Sequence, residues 1–196
     1  MSFNFVGFFI FAFVTSITPG PNNLLLLSYG KAYGFADSSK VAYGIMVGFL
    51  TELILAGYGV ASIIATNVYA SLVLKIIGSL WMLYLAFLLR KMHADIQSKQ
   101  QAKVGFTQML IQQFVNPKAW VMAVSGASAF MPQLGNIHLN VLLYALFFGI
   151  VGFPSIFIWL KAGDMIANLI QSPRSNLILG YVLFFLMIVS IVTIWI

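Results

Sequence analysis

The chain has no cysteine and very little charge. The lack of cysteine excludes a disulfide framework and a thiolate metal site. Only 7% of its 196 residues are charged, whereas soluble domains carry about 25%. Ten basic and four acidic side chains are too few to cover a globular surface. The composition therefore excludes an ordinary water-soluble domain.

Several functional motifs are also missing. The sequence has no phosphate-binding G-x-x-x-x-G-K-[ST] and no zinc-binding H-E-x-x-H. It shows no clustered His, Asp or Ser constellation of the kind that an enzyme needs. The net charge of +6 is spread over short connectors instead of forming a patch for nucleic acid. We therefore expect no enzyme, no cofactor or metal site, and no nucleic-acid partner.

What the sequence does contain is long apolar blocks. Hydrophobic residues make up 61% of the chain, and most blocks lack the polar stripe of a soluble helix. A helix needs about 20 apolar residues to cross the hydrocarbon core of a bilayer. The pattern predicts an all-α membrane protein of six transmembrane helices, surrounded by lipid. The predicted spans are 3–30, 41–65, 72–90, 106–130, 139–160 and 176–196.

The distribution of basic residues predicts the orientation of the chain. Lys and Arg are enriched in cytoplasmic loops. Connectors one, three and five, which are 31–40, 90–103 and 161–174, hold eight of the ten basic residues. These connectors should be cytoplasmic, and both termini should then lie outside.

Three spans before and three after the central connector predict two halves inverted in the membrane, as in many secondary transporters. We expect a single bundle over 1–196, with one repeat at about 1–90, a connector at 91–104 and a second repeat at about 105–196. The first span of each half carries a proline motif. These motifs are Thr18-Pro19-Gly20-Pro21-Asn22-Asn23 and Asn116-Pro117-Lys118.

The proline motifs predict broken helices. Proline lacks an N–H and clashes with the carbonyl four residues back, so Pro19 and Pro21 should free the carbonyls of Thr15 and Ile17. Backbone that is not helical is tolerated at membrane depth only inside protein or beside a wet cavity. The alternative is that the prolines merely bend the helices. The pattern favours a substrate site, and the candidate residues are Thr18, Pro19, Gly20, Pro21, Asn22, Gln112, Asn116, Pro117 and Lys118.

The four-residue spacing of Gln108, Gln112 and Asn116 places them on one helix face. A polar stripe should face the bundle interior, where it lines a cavity or forms hydrogen bonds between helices. Gly44-x-x-x-Gly48 is a small-residue motif that predicts close helix packing.

Two charges lie deep in the predicted spans. Glu52 is near the centre of span two, and Lys118 is roughly 18 Å from the cytoplasmic end of span four. Ionisable residues inside a membrane are expensive and usually functional. Glu52 is the candidate for ion coupling, and Lys118 could attract a carboxylate. The alternatives are an ion pair between the two, or a protonated Glu52 that donates a hydrogen bond.

The combination of Pro-Gly-Pro, Gly44-x-x-x-Gly48 and Phe114-Val115-Asn116-Pro117-Lys118 resembles the LysE/RhtB family of bacterial amino-acid exporters. The similarity in spacing and span number covers essentially the whole chain. Pro-Gly-Pro-Asn-Asn and Gln-Phe-Val-Asn are most similar to the branch that exports cysteine and O-acetylserine. Many members carry a polar or acidic residue after the second glycine of span two, where this chain has Phe49.

The resemblance implies a LysE-like fold and a secondary exporter of small amino acids or their derivatives, driven by the proton gradient across the bacterial cytoplasmic membrane. Its substrate would be a zwitterionic amino acid held between spans one and four. Two alternatives stay open, a metal-cation exporter on a similar plan and a membrane-embedded subunit that does not transport. A homodimer is also left open.

Overall fold

The structure, a computed structural model, describes residues 4–59, 66–94 and 105–195. Within these ranges all regular secondary structure is helical, which confirms the all-α class. The helices are α1 (Phe5–Ile17), α2 (Pro21–Gly57), α3 (Val68–Ala94), α4 (Phe106–Gln113), α5 (Pro117–Phe130), α6 (Ile137–Leu169) and α7 (Pro173–Trp195). Residues 95–104 of the predicted central connector lie outside the described residues.

Four of these helices, α2, α3, α6 and α7, are long and apolar enough to cross a bilayer, and α1 is a shorter apolar helix. Large apolar side chains cover the outer surface. Phe9, Leu80 and Phe185 are 57%, 63% and 66% exposed. A soluble monomer rarely exposes contiguous apolar surface of this extent, whereas lipid tails accommodate it.

The first connector differs from the sequence prediction. Residues 31–40 were expected to form a loop because they include Lys31, Asp37 and Lys40, but they are helical on both sides of Gly34. Gly34 alone interrupts α2, with φ 78° and ψ 169°. An L-residue with a side chain rarely adopts that positive φ, so glycine is required at this position.

Contacts on either side of Gly34 show that α2 is a hairpin. The hydroxyl of Ser38 donates to the carbonyl of Tyr29 at 2.9 Å. Further along, Asn22 bonds to the side chain of Gln113, and Gly48 packs against that same side chain. In a straight helix, residues 22 and 48 would be about 39 Å apart. The two arms of α2, residues 21–33 and 35–57, are therefore antiparallel neighbours.

Other predicted boundaries also need correction. Span two was expected to reach residue 65; its helix ends at Gly57, and residues 60–65 lie outside the described residues. Span five was expected to end at residue 160, but α6 continues to Leu169. In this extension of the helix, Lys161 and Asp164 lie one turn apart and form an ion pair at 2.7 Å. Pro154 lies inside α6 without ending it.

Glycines bring the helices into backbone contact. A Cβ added to Gly30 would collide with the carbonyl of Leu160, and one added to Gly163 would collide with the carbonyl of Leu27. This reciprocal pair lets α2 and α6 cross closely. Gly44 and Gly48 pack in the same way against α4, which confirms the predicted close-packing face.

Two apolar clusters fill the interior. The first joins Leu24–Leu27 to buried side chains of α3, α6 and α7. The second joins Phe8 and the far end of α2 to α5 and to Tyr144 and Phe148 of α6. Phe153 packs against both clusters, and the broken helices lie near their junction. At the interruptions Gly20 and Asn116 are buried, whereas Thr18 and Pro19 are exposed.

Candidate functional site

Both predicted helix breaks are present. Helix α1 ends at Ile17, and α2 begins at Pro21 after an extended Gly20 with φ −172° and ψ 176°. Helix α4 ends at Gln113, and α5 begins at Pro117 after an extended Asn116. Each proline occupies the first turn of its helix, where the missing N–H leaves no intrahelical bond unmade. The predicted positions of the breaks are confirmed.

The two breaks lie against each other, and Lys118 joins them. Its ammonium donates to the carbonyl of Thr18 at 2.9 Å, to the Thr18 hydroxyl at 3.1 Å and to the carbonyl of Pro19 at 3.2 Å. A Cβ on Gly20 would lie 2.7 Å from Cδ of Lys118, so the glycine leaves space for this side chain. The C-terminal end of α1, with its partial negative charge, thereby receives a cation.

The carbonyls at the end of α1 are occupied by side chains of the protein. Nε1 of Trp159 donates to the carbonyl of Ile17 at 3.0 Å, and the hydroxyl of Thr18 donates to that of Thr15 at 3.1 Å. In this conformation the carbonyls that the prolines were expected to free therefore each have a partner within the protein.

Asn23 completes this set of bonds. Its Nδ2 donates to the carbonyls of Ser16 and Thr18, both at 2.8 Å, and its side chain is 6% exposed. Neither Asn23 nor Trp159 had an assigned role in the sequence analysis. The run of two asparagines after Pro-Gly-Pro was a usable signal for Asn23. Nothing in the local sequence indicates Trp159, which lies 142 positions from its acceptor.

An amide network also ties the two breaks together. Oδ1 of Asn22 accepts from Gln112 at 3.3 Å, from Gln113 at 3.1 Å and from Asn116 at 3.1 Å. Nδ2 of Asn22 returns a bond to Gln113 at 3.1 Å. Gln112, Gln113 and Asn116 are all at most 3% exposed. The structure thus brings together Asn22, Gln112 and Asn116, and it adds Gln113.

Gln108 does not belong to this network, although its spacing predicted that it would. Its side chain is exposed, and its Oε1 accepts from the backbone N–H of Gly105 at 2.9 Å. The residue therefore caps the start of α4. The polar stripe faces the interior only from Gln112 onwards.

Glu52 is completely buried, and its two carboxylate oxygens have no hydrogen-bond partner in the described part of the chain. It forms no ion pair with Lys118, whose ammonium is bound to Thr18 and Pro19. The alternative of a Glu52–Lys118 ion pair is therefore wrong for this conformation. Glu52 also lies apart from the cavities described next.

Two cavities meet at the breaks. The smaller, of about 50 Å³, lies against Gly20, Asn22, Asn23 and Asn116 and is closed by Phe49 and Phe153. The larger, of about 570 Å³, lies between α1, α3, α5 and α7 and is lined by Thr18, Pro19 and Pro117. Four residues line both cavities: Thr15, Pro21, Lys118 and Met122. Of these, Lys118 is the only charged one, and its side chain forms part of the wall between the cavities.

Several buried polar atoms around the breaks lack partners. They include Oε1 of Gln112, Oδ1 of Asn116 and Oγ of Ser16, besides the carboxylate of Glu52. Buried polar atoms without partners are rare in native structures and call for an explanation. Within the described ranges, no three His, Cys, Asp or Glu side chains come together as a metal site would require.

Long apolar helices surround the two helix breaks, and this arrangement identifies the chain as a multi-pass membrane protein. The chain also matches the family described as LysE type translocator over residues 13–194, and it belongs to that family. It is 28% identical over 163 residues to the cysteine/O-acetylserine efflux protein of Klebsiella pneumoniae subsp. pneumoniae, covering 83% of each chain. The corresponding proteins of Salmonella typhimurium and Escherichia coli O139:H28 are 29% and 27% identical.

Those two alignments cover 90% of this chain and 92% of the Salmonella protein, and 91% of this chain and 93% of the Escherichia protein. The family resemblance drawn from the proline motifs is thereby confirmed. No solved structure gives a significant match to the chain.

The bond from Trp159 to the end of α1 leads to a testable prediction. Trp159→Phe keeps an aromatic ring but leaves the Ile17 carbonyl without a donor, which should lower the free energy of unfolding by about 1–3 kcal/mol. Trp195→Phe is the matched control, because Trp195 is itself exposed and its Nε1 bonds the Ser79 hydroxyl, which can turn to other partners. Unfolding of the purified protein in mixed micelles measures both. Equal losses in the two variants would contradict the capping role.

Proposed function

We propose that the protein is a secondary exporter of small zwitterionic amino acids or their derivatives across the bacterial cytoplasmic membrane. The observation that carries the proposal is the meeting of two broken helices at a cavity lined by Asn22, Asn116 and Lys118. Paired breaks of this kind form the binding sites of many secondary transporters. Membership of the LysE type translocator family and relatives named for cysteine and O-acetylserine efflux support the class of substrate.

The path of the chain supports six crossings in two inverted halves. The hairpin at Gly34 separates the first two crossings, and each broken helix pair, α1 with the first arm of α2 and α4 with α5, makes a single crossing. The remaining crossings are the second arm of α2 and helices α3, α6 and α7. We place the halves at about 1–90 and 105–196, joined by 91–104.

Equivalent crossings of the two halves pack against each other, as a two-fold relation requires. The broken first crossings meet through Asn22 and Gln113. The second crossings meet where Gly57 contacts Val141. The third crossings meet where the Phe87 and Phe184 rings lie 5.3 Å apart. These three contacts support the inverted repeat.

The placement of the cavities supports an outward-facing conformation. With both termini outside, the C-terminal end of α7 and the N-terminal end of α3 lie at the outer surface. The large cavity reaches Ser71 and Lys75 of α3 and Thr193 of α7, close to those ends. On the opposite side, Leu24–Leu27, Leu85 and Leu89 are buried in one apolar cluster.

The substrate-binding residues we propose remain Thr18, Pro19, Gly20, Pro21, Asn22, Gln112, Asn116, Pro117 and Lys118. All except Gln112 line one of the two cavities, and Gln112 bonds to Asn22 behind them. We assign proton coupling to Glu52. It is the deepest carboxyl group in the described residues, and a carboxylate without partners in an apolar interior is much costlier than a protonated one.

Counterflow in proteoliposomes tests the function. Vesicles loaded with unlabelled O-acetyl-L-serine should accumulate labelled O-acetyl-L-serine or L-cysteine, because exchange through one site needs no gradient. Lys118→Ala should reduce the rate at least tenfold, and protein-free vesicles give the baseline. Counterflow of Mn²⁺ without counterflow of any amino acid would favour the metal-exporter alternative and contradict the proposal.

Cysteine labelling tests the topology. The natural chain has no cysteine, so single cysteines at Gln97 and at the exposed Gln133 give unique labels. Gln97 belongs to the central connector, outside the described residues, and Gln133 lies between α5 and α6. An impermeant thiol reagent applied to intact cells should label Gln133→Cys alone. Labelling of both positions from the same side would refute the inverted repeat as well as the orientation.

A conservative substitution tests the coupling role. Glu52→Gln keeps the size of the side chain but cannot take up or release a proton. It should abolish transport driven by a pH gradient while counterflow at equal pH continues. Asp164→Asn makes the same chemical change beside Lys161 at the end of α6, away from the site, and should leave both activities unchanged. Full gradient-driven transport by Glu52→Gln would show that the residue is structural.

A further inference from the structure

Two helices begin at the small cavity without N-terminal caps. At the start of α2, the backbone N–H groups of Asn22 and Asn23 have no hydrogen-bond partner among the described residues, and no side chain caps the helix. At the start of α5, the N–H of Lys118 is likewise without a partner, and α5 also lacks a side-chain cap. Free N–H groups at a helix start carry partial positive charge and bind anions.

The same cavity also offers acceptors without partners. Asn116 is 3% exposed and lines the cavity, and its Oδ1 makes no hydrogen bond. The orientation of this amide is fixed, because its Nδ2 donates to Oδ1 of Asn22, which accepts from two glutamines as well. Oγ of Ser16, on the cavity wall, is also without a partner. Donors and acceptors are thus both left unpaired at one cavity.

The size of the cavity restricts what can fill it. A water needs about 10–15 Å³ of such volume, so 50 Å³ holds roughly four water-sized groups. That space suits a carboxylate and an ammonium on one carbon atom but not a long side chain. Lys118, Thr15, Pro21 and Met122 line both this cavity and the one of about 570 Å³, so the two cavities adjoin at these residues.

We infer that the small cavity is the head-group site for an α-amino acid and fixes the orientation of the substrate. The carboxylate binds the N–H groups of Asn22, Asn23 and Lys118. The ammonium binds Oδ1 of Asn116 and Oγ of Ser16, and the side chain of the substrate extends past Lys118 into the large cavity. The inference rests on the proposed function. It adds that the protein recognises both charged groups on the α-carbon of the substrate and does not recognise the substrate's side chain.

The position of Lys118 fits this arrangement. Its ammonium is held at the end of α1 by Thr18 and Pro19, so it adds positive potential beside the carboxylate without filling the head-group cavity. Because backbone N–H groups bind the carboxylate of the substrate, the large cavity stays free to accept substrate side chains of different length. The same site can therefore exchange one small amino-acid derivative for another.

Ligands that lack one charged group test the inference by binding alone. The probes are O-acetyl-L-serine, 2-aminoethyl acetate, which lacks the carboxylate, and 3-acetoxypropionate, which lacks the ammonium. Ligand-dependent rise in melting temperature of the purified wild-type protein gives each dissociation constant. We expect the two truncated probes to bind at least tenfold more weakly than O-acetyl-L-serine, because each leaves buried polar groups unpaired. Equal binding of either one, or no binding of O-acetyl-L-serine, would overturn the inference.

Asn116→Asp provides a second arm with a distinctive readout. A carboxylate at this position caps α5 and occupies the anion site, so the variant should lose most of its affinity for O-acetyl-L-serine and now prefer 2-aminoethyl acetate. Asn136→Asp is the matched control, because Asn136 caps α6 away from the cavity, with bonds to the N–H groups of His138 and Leu139. It should bind the probes as the wild type does. Unchanged preference in Asn116→Asp would contradict the inference.

The two arms separate this inference from the proposed function. Asn116→Asp also removes the amide donor to Asn22, but the wild-type probe series does not depend on that variant folding. Counterflow of amino acids together with equal binding of 2-aminoethyl acetate would leave the exporter intact and refute the head-group site. Selective binding of the zwitterion without any counterflow would refute the exporter and keep the site.

Discussion

The structure depends on how the backbone groups at the end of α1 are satisfied. A helix that stops inside a bilayer leaves four carbonyls without intrahelical partners, and each one that is buried away from water needs another donor. Here Trp159, Asn23, the Thr18 hydroxyl and Lys118 supply the missing donors. These donors come from three different helices. The break therefore exists only in the assembled bundle, and it fixes α5 and α6 relative to α1.

Close approach of the helices makes those bonds possible. The indole of Trp159 reaches Ile17 because Gly30 and Gly163 let the backbones of α2 and α6 touch one turn away. A Cβ at either position would push the helices apart and withdraw the donor. The glycines and the capping side chains thus act together. The small residues set the distance between the helices, and the polar residues form hydrogen bonds across that distance.

The sequence predicted those features of the helix breaks that depend on local backbone geometry. Pro19, Pro21 and Pro117 cannot continue a helix, so the positions of the breaks follow from covalent geometry. The reversal between spans one and two was predicted within 31–40, but its form was missed, because the polar residues there suggested a loop whereas the chain turns at one glycine between two helices. Trp159 and Gln113 could not be found, because their roles depend on contacts between residues more than 90 positions apart. A contact between residues so far apart along the chain produces no periodic pattern in the sequence.

The separation of the two buried charges has a consequence for coupling. If Glu52 carries the proton as proposed, it does so without lining either cavity and without pairing with the ammonium of Lys118. The second arm of α2 nevertheless connects it to the breaks. Gly48, one turn before Glu52, packs against Gln113, which exchanges hydrogen bonds with Asn22 at the small cavity. A shift of this arm against α4 would therefore act directly on the amide network, because the glycine contact leaves no space between the two helices.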